Sequence, residues 1–278
     1  MTQYIRLTIQ IPGALQEFLI NDLDNMEFTG FEQFYDRLLC YVPRNRFSDV
    51  DREYIEGWLS GQREDCYIIE ESIIRESNWN EAWEQSITAQ TIGDFFIKPT
   101  WSDEEVPEGK ILLEIDPKMA FGTGYHETTR LVLRLLPQCI KKGYRVLDVG
   151  TGTGILAIAA LKLGAGQALG VDIDEWSYQN AVENSFLNKV KHQLEIKEGS
   201  LELLSEDDRF DAVLANIDRN SLLGLAPLLI HHTREMLVLS GLMTDDEQHI
   251  LANPHYAALR LVERTQENEW IALCFKKE

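Results

Sequence analysis

The sequence holds only four cysteines, Cys40, Cys66, Cys139 and Cys274, and none forms a C-x-x-C pair. That scatter fits reduced thiols that pack as small hydrophobes better than a disulfide framework or a cysteine zinc site. No run of about 18 apolar residues occurs, so no membrane-spanning helix is expected, and the start Met1-Thr-Gln-Tyr-Ile-Arg6 lacks a signal-peptide layout. A soluble, cytoplasmic protein without membrane contact is expected. Basic residues are short as well. Against 46 Asp and Glu stand 26 Lys and Arg, a formal charge of −20, with no Lys/Arg cluster reaching five in a row. Phosphate contacts supply most nucleic-acid affinity, so no direct nucleic-acid partner is expected. A basic protein is the better-matched partner, although acidity serving solubility alone gives the same composition.

At 278 residues with 44% hydrophobic content the chain is long enough for one large α/β domain and a small one. Residues 4–10 alternate as a strand, 13–26 carry a helical pattern, 31–42 hold two strand-like runs around Asp36-Arg37, 49–60 are amphipathic and 66–74 extended. The order βαββαβ predicts a ferredoxin-like α+β domain over residues 1–75. Nothing in it has catalytic spacing. Substrate recognition is its expected role, with a structural or dimerising role as the alternative. Residues 76–95 read as a linker in which Trp79 and Trp83, four apart, pack on one side of a short helix.

From residue 96 to 278 the elements alternate as in a doubly wound sheet, with strands at 145–149, 167–172, 193–197, 210–215 and 235–239 separated by helical segments. Helix 245–253 and extended ends at 256–263 and 269–276 follow. Gly164 is placed to end one helix and Asp174 to cap the next.

The most informative stretch is Arg145-Val-Leu-Asp-Val-Gly-Thr-Gly-Thr-Gly-Ile-Leu-Ala-Ile-Ala-Ala160, followed by Leu-Gly-Val-Asp172. A buried strand runs into a glycine turn and a helix, and the next strand ends in a carboxylate suited to ribose hydroxyls. A dinucleotide fingerprint G-x-G-x-x-G would need a third glycine where Ile155 stands. The chain instead has G-x-G-x-G, with Val171-Asp172-Ile173-Asp174 beyond it, which resembles the first two motifs of class I S-adenosylmethionine-dependent methyltransferases, a Rossmann-like fold.

Upstream lies Asp116-Pro-Lys-Met-Ala-Phe-Gly-Thr-Gly-Tyr-His-Glu-Thr-Thr-Arg130, and downstream Ala215-Asn216-Ile217. Together with the glycine motif these resemble the PrmA family, methyltransferases of large-subunit ribosomal protein L11, and the likeness extends to Trp79-Asn-Glu-Ala-Trp83, Gly199-Ser200 and Glu269-Trp270. The resemblance implies S-adenosyl-L-methionine as cofactor and free ribosomal protein L11 as partner, methylated at lysine ε-amines and at its α-amine. A monomer is expected. By the same resemblance Thr129, Gly150, Gly152, Asp172, Ile173 and Asn216 are cofactor contacts, and Phe121, Gly122 and Thr123 form a loop over the methionine end. The place of Asn216 at the end of strand 210–215 makes it the expected catalytic residue, its carbonyl orienting the acceptor amine, with a strand-end cap of no chemical role as the alternative.

Three departures bear on the site. Tyr125 and Glu127 stand where the family pattern has Thr and Pro. Ser200 follows the third strand where many relatives carry an acid for adenine, and it is expected to contact the cofactor by reading that ring with its hydroxyl or backbone N–H. The run Asn216-Ile-Asp-Arg219 lacks the N-P-P-aromatic motif of many amino-methylating enzymes, which fits aliphatic amines better than planar base amines. His126 reads as a loop histidine bonded to backbone rather than a general base. No metal is expected, since adjacent His231 and His232 point to different helix faces and His249 and His255 stand alone. The alternatives are methylation of another protein or a small amine, an NAD-dependent oxidoreductase, and a non-catalytic binding module.

Overall fold

The computed structural model describes residues 3–24, 26–62, 66–75, 87–116 and 120–278. Trp79 and Trp83 lie outside the described residues. The chain divides into two compact units, Met1–Ala82 and Trp83–Glu278.

In the first unit the elements are β1 (Gln3–Gln10), α1 (Gly13–Asp24), β2 (Gly30–Gln33), β3 (Arg37–Pro43), α2 (Asp49–Ser60) and β4 (Tyr67–Arg75). The sheet order is β2-β3-β1-β4 with every neighbouring pair antiparallel, the arrangement of a βαββαβ plait. Period-2 alternation decides the core: Ile5, Leu7 and Ile9 of β1 and Leu38, Cys40 and Val42 of β3 face Leu19, Leu23, Ile55 and Leu59 of the helices. Helix α2 starts where Ser48 and Asp51 form a reciprocal capping box. The buried Gln16 amide donates to the Phe34 carbonyl at 2.7 Å and to that of Ile11, so a polar side chain inside the unit is satisfied.

The second unit opens with a small sheet, β5 (Gln90–Ile92), β6 (Phe95–Lys98) and β7 (Ile111–Glu114), antiparallel and then parallel. Strand β5 lies within the segment read from sequence as linker. Next come α3 (Glu127–Cys139), β8 (Arg145–Val149), α4 (Ile155–Lys162), β9 (Gln167–Asp172), α5 (Glu175–Leu187), β10 (Leu194–Glu198), β11 (Phe210–Asn216), α6 (Arg219–His232), β12 (Thr233–Met243), α7 (Glu247–Ala252), β13 (Arg260–Glu267) and β14 (Trp270–Lys276). Seven strands form one sheet in the order β10-β9-β8-β11-β12-β14-β13, parallel except for β14. One core packs α3, α4 and α5 on one face, and a second packs α6 and α7 on the other. A doubly wound, Rossmann-like sheet, as expected from the sequence, is therefore the architecture observed.

Two local expectations differ. Residues 256–258 form a 3-10 turn rather than the start of a strand. The ring of Tyr256 is buried beside Phe275 and its hydroxyl donates to the Leu222 carbonyl, which holds the chain in a turn until Arg260. Strand β12 is also longer than expected, because β11 pairs with it from Thr233 to Ser240 and β14 from Met236 to Met243, so each neighbour supplies ladder partners beyond the reach of the other.

Candidate active site

Three strand ends and one glycine turn build the site. Gly150, Gly152 and Gly154 have φ of +69°, +54° and +81°, the left-handed region in which glycine carries no steric penalty. Space demands glycine as well. A Cβ on Gly150 would lie 2.4 Å from Ile217 Cγ2, and one on Gly152 would lie 2.2 Å from the Phe121 carbonyl oxygen.

The turn is held by two carboxylates. Asp148 is fully buried; its Oδ2 accepts from Thr151 Oγ1 at 2.7 Å and from the Ala157 N–H at 3.2 Å, and its Oδ1 has no partner. Burial pushes its carboxyl up to about 6. Asp172 ends β9, where its Oδ2 accepts the Gly152 N–H at 2.8 Å and its Oδ1 the Asp174 N–H at 3.1 Å. Asp174 caps α5 as its sequence position implied, accepting from the Ser177 N–H.

A cavity of about 540 Å³ opens over these ends, within the range of small-molecule sites. Of the residues singled out from sequence, Phe121, Gly150, Gly152, Asp172, Ile173, Ser200 and Asn216 line it. Gly122, Thr123 and Thr129 do not. Thr129 is fully buried behind the wall, where its hydroxyl accepts from Asn216 Nδ2 at 3.4 Å. The Gly122 carbonyl accepts from Thr153 Oγ1, and the Thr123 hydroxyl from the Tyr125 N–H. Asn216 ends β11, and its Oδ1 is buried with no hydrogen-bond partner.

His126 caps α3: its Nδ1 accepts from the Thr128 N–H and pairs with the Thr128 hydroxyl, which agrees with a backbone-bonded loop histidine. Its ring also stands between Phe121 and Trp270, with centroids 5.3 and 4.8 Å away, so these three rings form one aromatic wall. Sequence reasoning did not place His126 or Trp270 in the cavity. It also missed Ile217 and Asp218, which follow Asn216 into the turn before α6. Asp218 caps that helix, and the Ser221 hydroxyl and N–H hold its carboxyl below the usual carboxylate range. Asp218 stands two positions after Asn216, so proximity to the strand end was the available signal.

The charges choose among ligands. Among the described residues that line the cavity there are two carboxylates, Asp172 and Asp218, and no Lys or Arg. The Gly152 N–H, which a dinucleotide's diphosphate would need, is already given to Asp172. Such a lining disfavours a diphosphate and favours a cation. S-adenosyl-L-methionine carries a sulfonium and an ammonium beside a ribose and an adenine, so the residues present fit it: carboxylates for the cationic and hydroxyl parts, apolar walls for the ring, and in Asn216 of the lining an amide oxygen without a partner. No group of three or more His, Cys, Asp or Glu that could hold a metal is found among the described residues, nor any helix long and apolar enough to cross a membrane.

Comparison with known proteins agrees with this geometry. The profile of the family described as "Ribosomal protein L11 methyltransferase (PrmA)" matches residues 48–278. The ribosomal protein L11 methyltransferase of Pelobacter propionicus is 40% identical, the alignment covering 99% of this chain and 98% of that one. The protein of the same name from Myxococcus xanthus is 38% identical over 97% of both chains. The crystal structure of ribosomal protein L11 methylase from Lactobacillus delbrueckii subsp. bulgaricus superposes with a TM-score of 0.63 at 31% identity, covering 69% of this chain and all of that one. With its glycine turn, its carboxylate-lined cavity and relatives matched nearly end to end, the chain belongs to the ribosomal protein L11 methyltransferase (PrmA) family.

Proposed function

We propose that this protein transfers methyl groups from S-adenosyl-L-methionine to amines of free ribosomal protein L11, at lysine ε-amines and the N-terminal α-amine. The observation that carries the chemistry is the partnerless Oδ1 of Asn216, buried at the end of β11 where the cavity wall is formed. A buried acceptor without a donor costs about 1–3 kcal/mol, so its persistence at this position suits a donor that arrives with the substrate.

The cofactor supplies a methyl on a sulfonium, open to in-line attack by a neutral amine. A lysine begins near pKa 10.4, so its neutral form near pH 7.5 costs roughly 4 kcal/mol at 1.36 kcal/mol per unit. The protein lowers that cost by burial. Phe121, Trp270 and Ile217 present apolar surface to the acceptor and exclude water, which disfavours an ammonium. Asn216 Oδ1 accepts an N–H of the neutral amine and turns its lone pair toward the methyl, and the Thr129 hydroxyl holds the amide in that orientation. Asp218, kept as a carboxylate, draws the cationic side chain toward the cavity, where it sheds its proton to water at the mouth.

The charge of −20 supports a basic protein as substrate and disfavours assembled, RNA-covered ribosomes, which suits action in the cytoplasm before assembly. Recognition of that substrate by the βαββαβ unit, residues 1–75, belongs to the same proposal. The test is intact mass of unmethylated L11 after incubation with the protein and cofactor. Increments of methyl mass, absent when S-adenosylhomocysteine replaces the donor, are expected. No increment from a protein that binds the cofactor normally would exclude L11 as its substrate.

A further inference from the structure

Helix α5 carries asparagines at positions 180 and 184, and Asn188 caps its C-terminus, so the three follow one another at one per turn, and all are buried. Asparagine is an unfavourable choice inside a helix unless its amide has partners elsewhere. Here each amide bonds the backbone of a distant segment. Asn188 accepts from the Glu114 N–H at 3.0 Å and donates to the Glu114 carbonyl at 2.6 Å, as a neighbouring strand would. Asn180 donates to the Asp116 carbonyl at 2.8 Å. Asn184 differs: its Oδ1 accepts from the Asp116 N–H at 3.0 Å, while its Nδ2 donates to the Thr153 carbonyl at 2.9 Å.

Thr153 sits in the glycine turn and is fully buried. Its N–H donates to the Phe121 carbonyl at 2.8 Å and its hydroxyl to the Gly122 carbonyl at 2.6 Å. Through these bonds Thr153 attaches the Phe121–Gly122 segment to the turn, and Asn184 attaches Thr153 to helix α5 and to Asp116. Phe121 lines the cavity, so the chain of bonds ends at the ligand's wall.

We propose that Thr153 and Asn184 are positioning residues for cofactor binding: they latch the Phe121–Gly122 segment onto the glycine turn, so that the wall stands in place before the ligand arrives. Order built into the free protein is order the ligand need not impose, which raises affinity without a new contact. This rests on the cofactor reading given above. A role in stability alone predicts something different. It lowers the melting temperature and leaves the affinity of the folded fraction unchanged.

The test is titration calorimetry of S-adenosylhomocysteine on the full chain, with amide exchange over residues 120–125 as a second readout. Thr153→Val keeps the shape and the N–H bond but strands the Gly122 carbonyl. It is expected to raise Kd about tenfold, the factor that 1.4 kcal/mol gives, and to speed exchange in the segment. Thr153→Ser restores the hydroxyl and is expected to stay within about twofold of the parent. Asn184→Ala is expected to weaken binding as Thr153→Val does, and the double variant to lose less than the two losses combined, because both cut one chain of bonds. Asn188→Ala, whose amide bonds only Glu114 and Asn184 backbone, is expected to lower the melting temperature with Kd within about twofold. The proposal is overturned if Thr153→Val binds like the parent, if Thr153→Ser is as weak as Thr153→Val, or if Asn188→Ala weakens binding equally. A parent protein that binds S-adenosylhomocysteine but methylates no L11 removes the substrate reading and leaves the latch to be decided by these same titrations. A parent that binds none removes both.

Discussion

Asn216 turns its Nδ2 to the Thr129 hydroxyl at 3.4 Å and leaves its Oδ1 buried and unpartnered, although the two residues are 87 positions apart in the chain. Helix α3 and strand β11 thus set one amide between them, and its free acceptor belongs to neither.

Replacing that acceptor tests the mechanism. Asn216→Ala is expected to lower kcat/KM by a factor of about 10² to 10³, in the range seen when one oriented polar group is removed from a reacting centre. Thr129→Val, which removes only the group that holds the amide, is expected to cost less, about tenfold. Steady-state kinetics on L11 check both. Near-parental activity in Asn216→Ala would assign amine orientation to another group.

At Asp172 the expected loss is in cofactor affinity. Its Oδ2 is the acceptor of the Gly152 N–H, so Asp172→Ala strands that donor as well as removing a carboxylate from the cavity lining. Kd for S-adenosylhomocysteine is expected to rise about 10- to 100-fold. A parental isotherm would sink the assignment. The parent is further expected to gain thermal stability from S-adenosylhomocysteine and none from NAD, since the lining offers no cation to a diphosphate.

Glycines separate into two kinds by surroundings. Gly152→Ala sets a Cβ 2.2 Å from the Phe121 carbonyl oxygen at φ +54°, and backbone cannot yield there. A loss of about 3 kcal/mol or more, with loss of cofactor binding, is expected. Gly224 lies on exposed α6 with nothing within 4 Å of an added Cβ. Gly224→Ala is expected to stabilise by up to about 1 kcal/mol. Equal melting temperatures for the two variants would contradict the geometry.

Asp148 predicts a pH dependence with a definite sign. Its carboxyl rises from 3.8 to about 6 in the folded chain, so folding favours the protonated form. The stability this group supplies is fully present below pH 3.8 and is lost as pH rises to about 6, a change of about 3 kcal/mol at 1.36 kcal/mol per unit. Glu267, which Arg130 and Arg134 hold below the usual carboxylate range, acts in the opposite sense and loses its contribution as pH falls below 4.5. The comparison is therefore between the parent and Asp148→Asn in the ligand-free protein. The difference in unfolding free energy is expected to grow in favour of Asp148→Asn from pH 4 to pH 6 and then level off; a pH-independent difference would show that Asp148 is not the group titrating.

The alternation of Ile5, Leu7 and Ile9, the glycine turn at 150, 152 and 154 and the cap at Asp174 were legible in the sequence, because each is decided within a few residues of chain. Period, turn chemistry and capping are local physics, and they sufficed for both α/β units and for the carboxylate at the end of β9. The site's finer parts were decided only by tertiary structure. The ring of His126 finds Trp270 across 144 positions, Thr129 finds Asn216, and Asn180, Asn184 and Asn188 find backbone that lies 64 to 74 residues earlier in the chain. Their one-per-turn spacing was visible, but a side-chain amide has no signature for the partner it will meet. Likewise the family resemblance implied Thr129 as a cofactor contact, and packing sets its hydroxyl against the Asn216 amide, outside the cavity lining. Which polar atoms are satisfied and which are left for a ligand depends on where distant backbone comes to rest, and only the folded chain brings those atoms together.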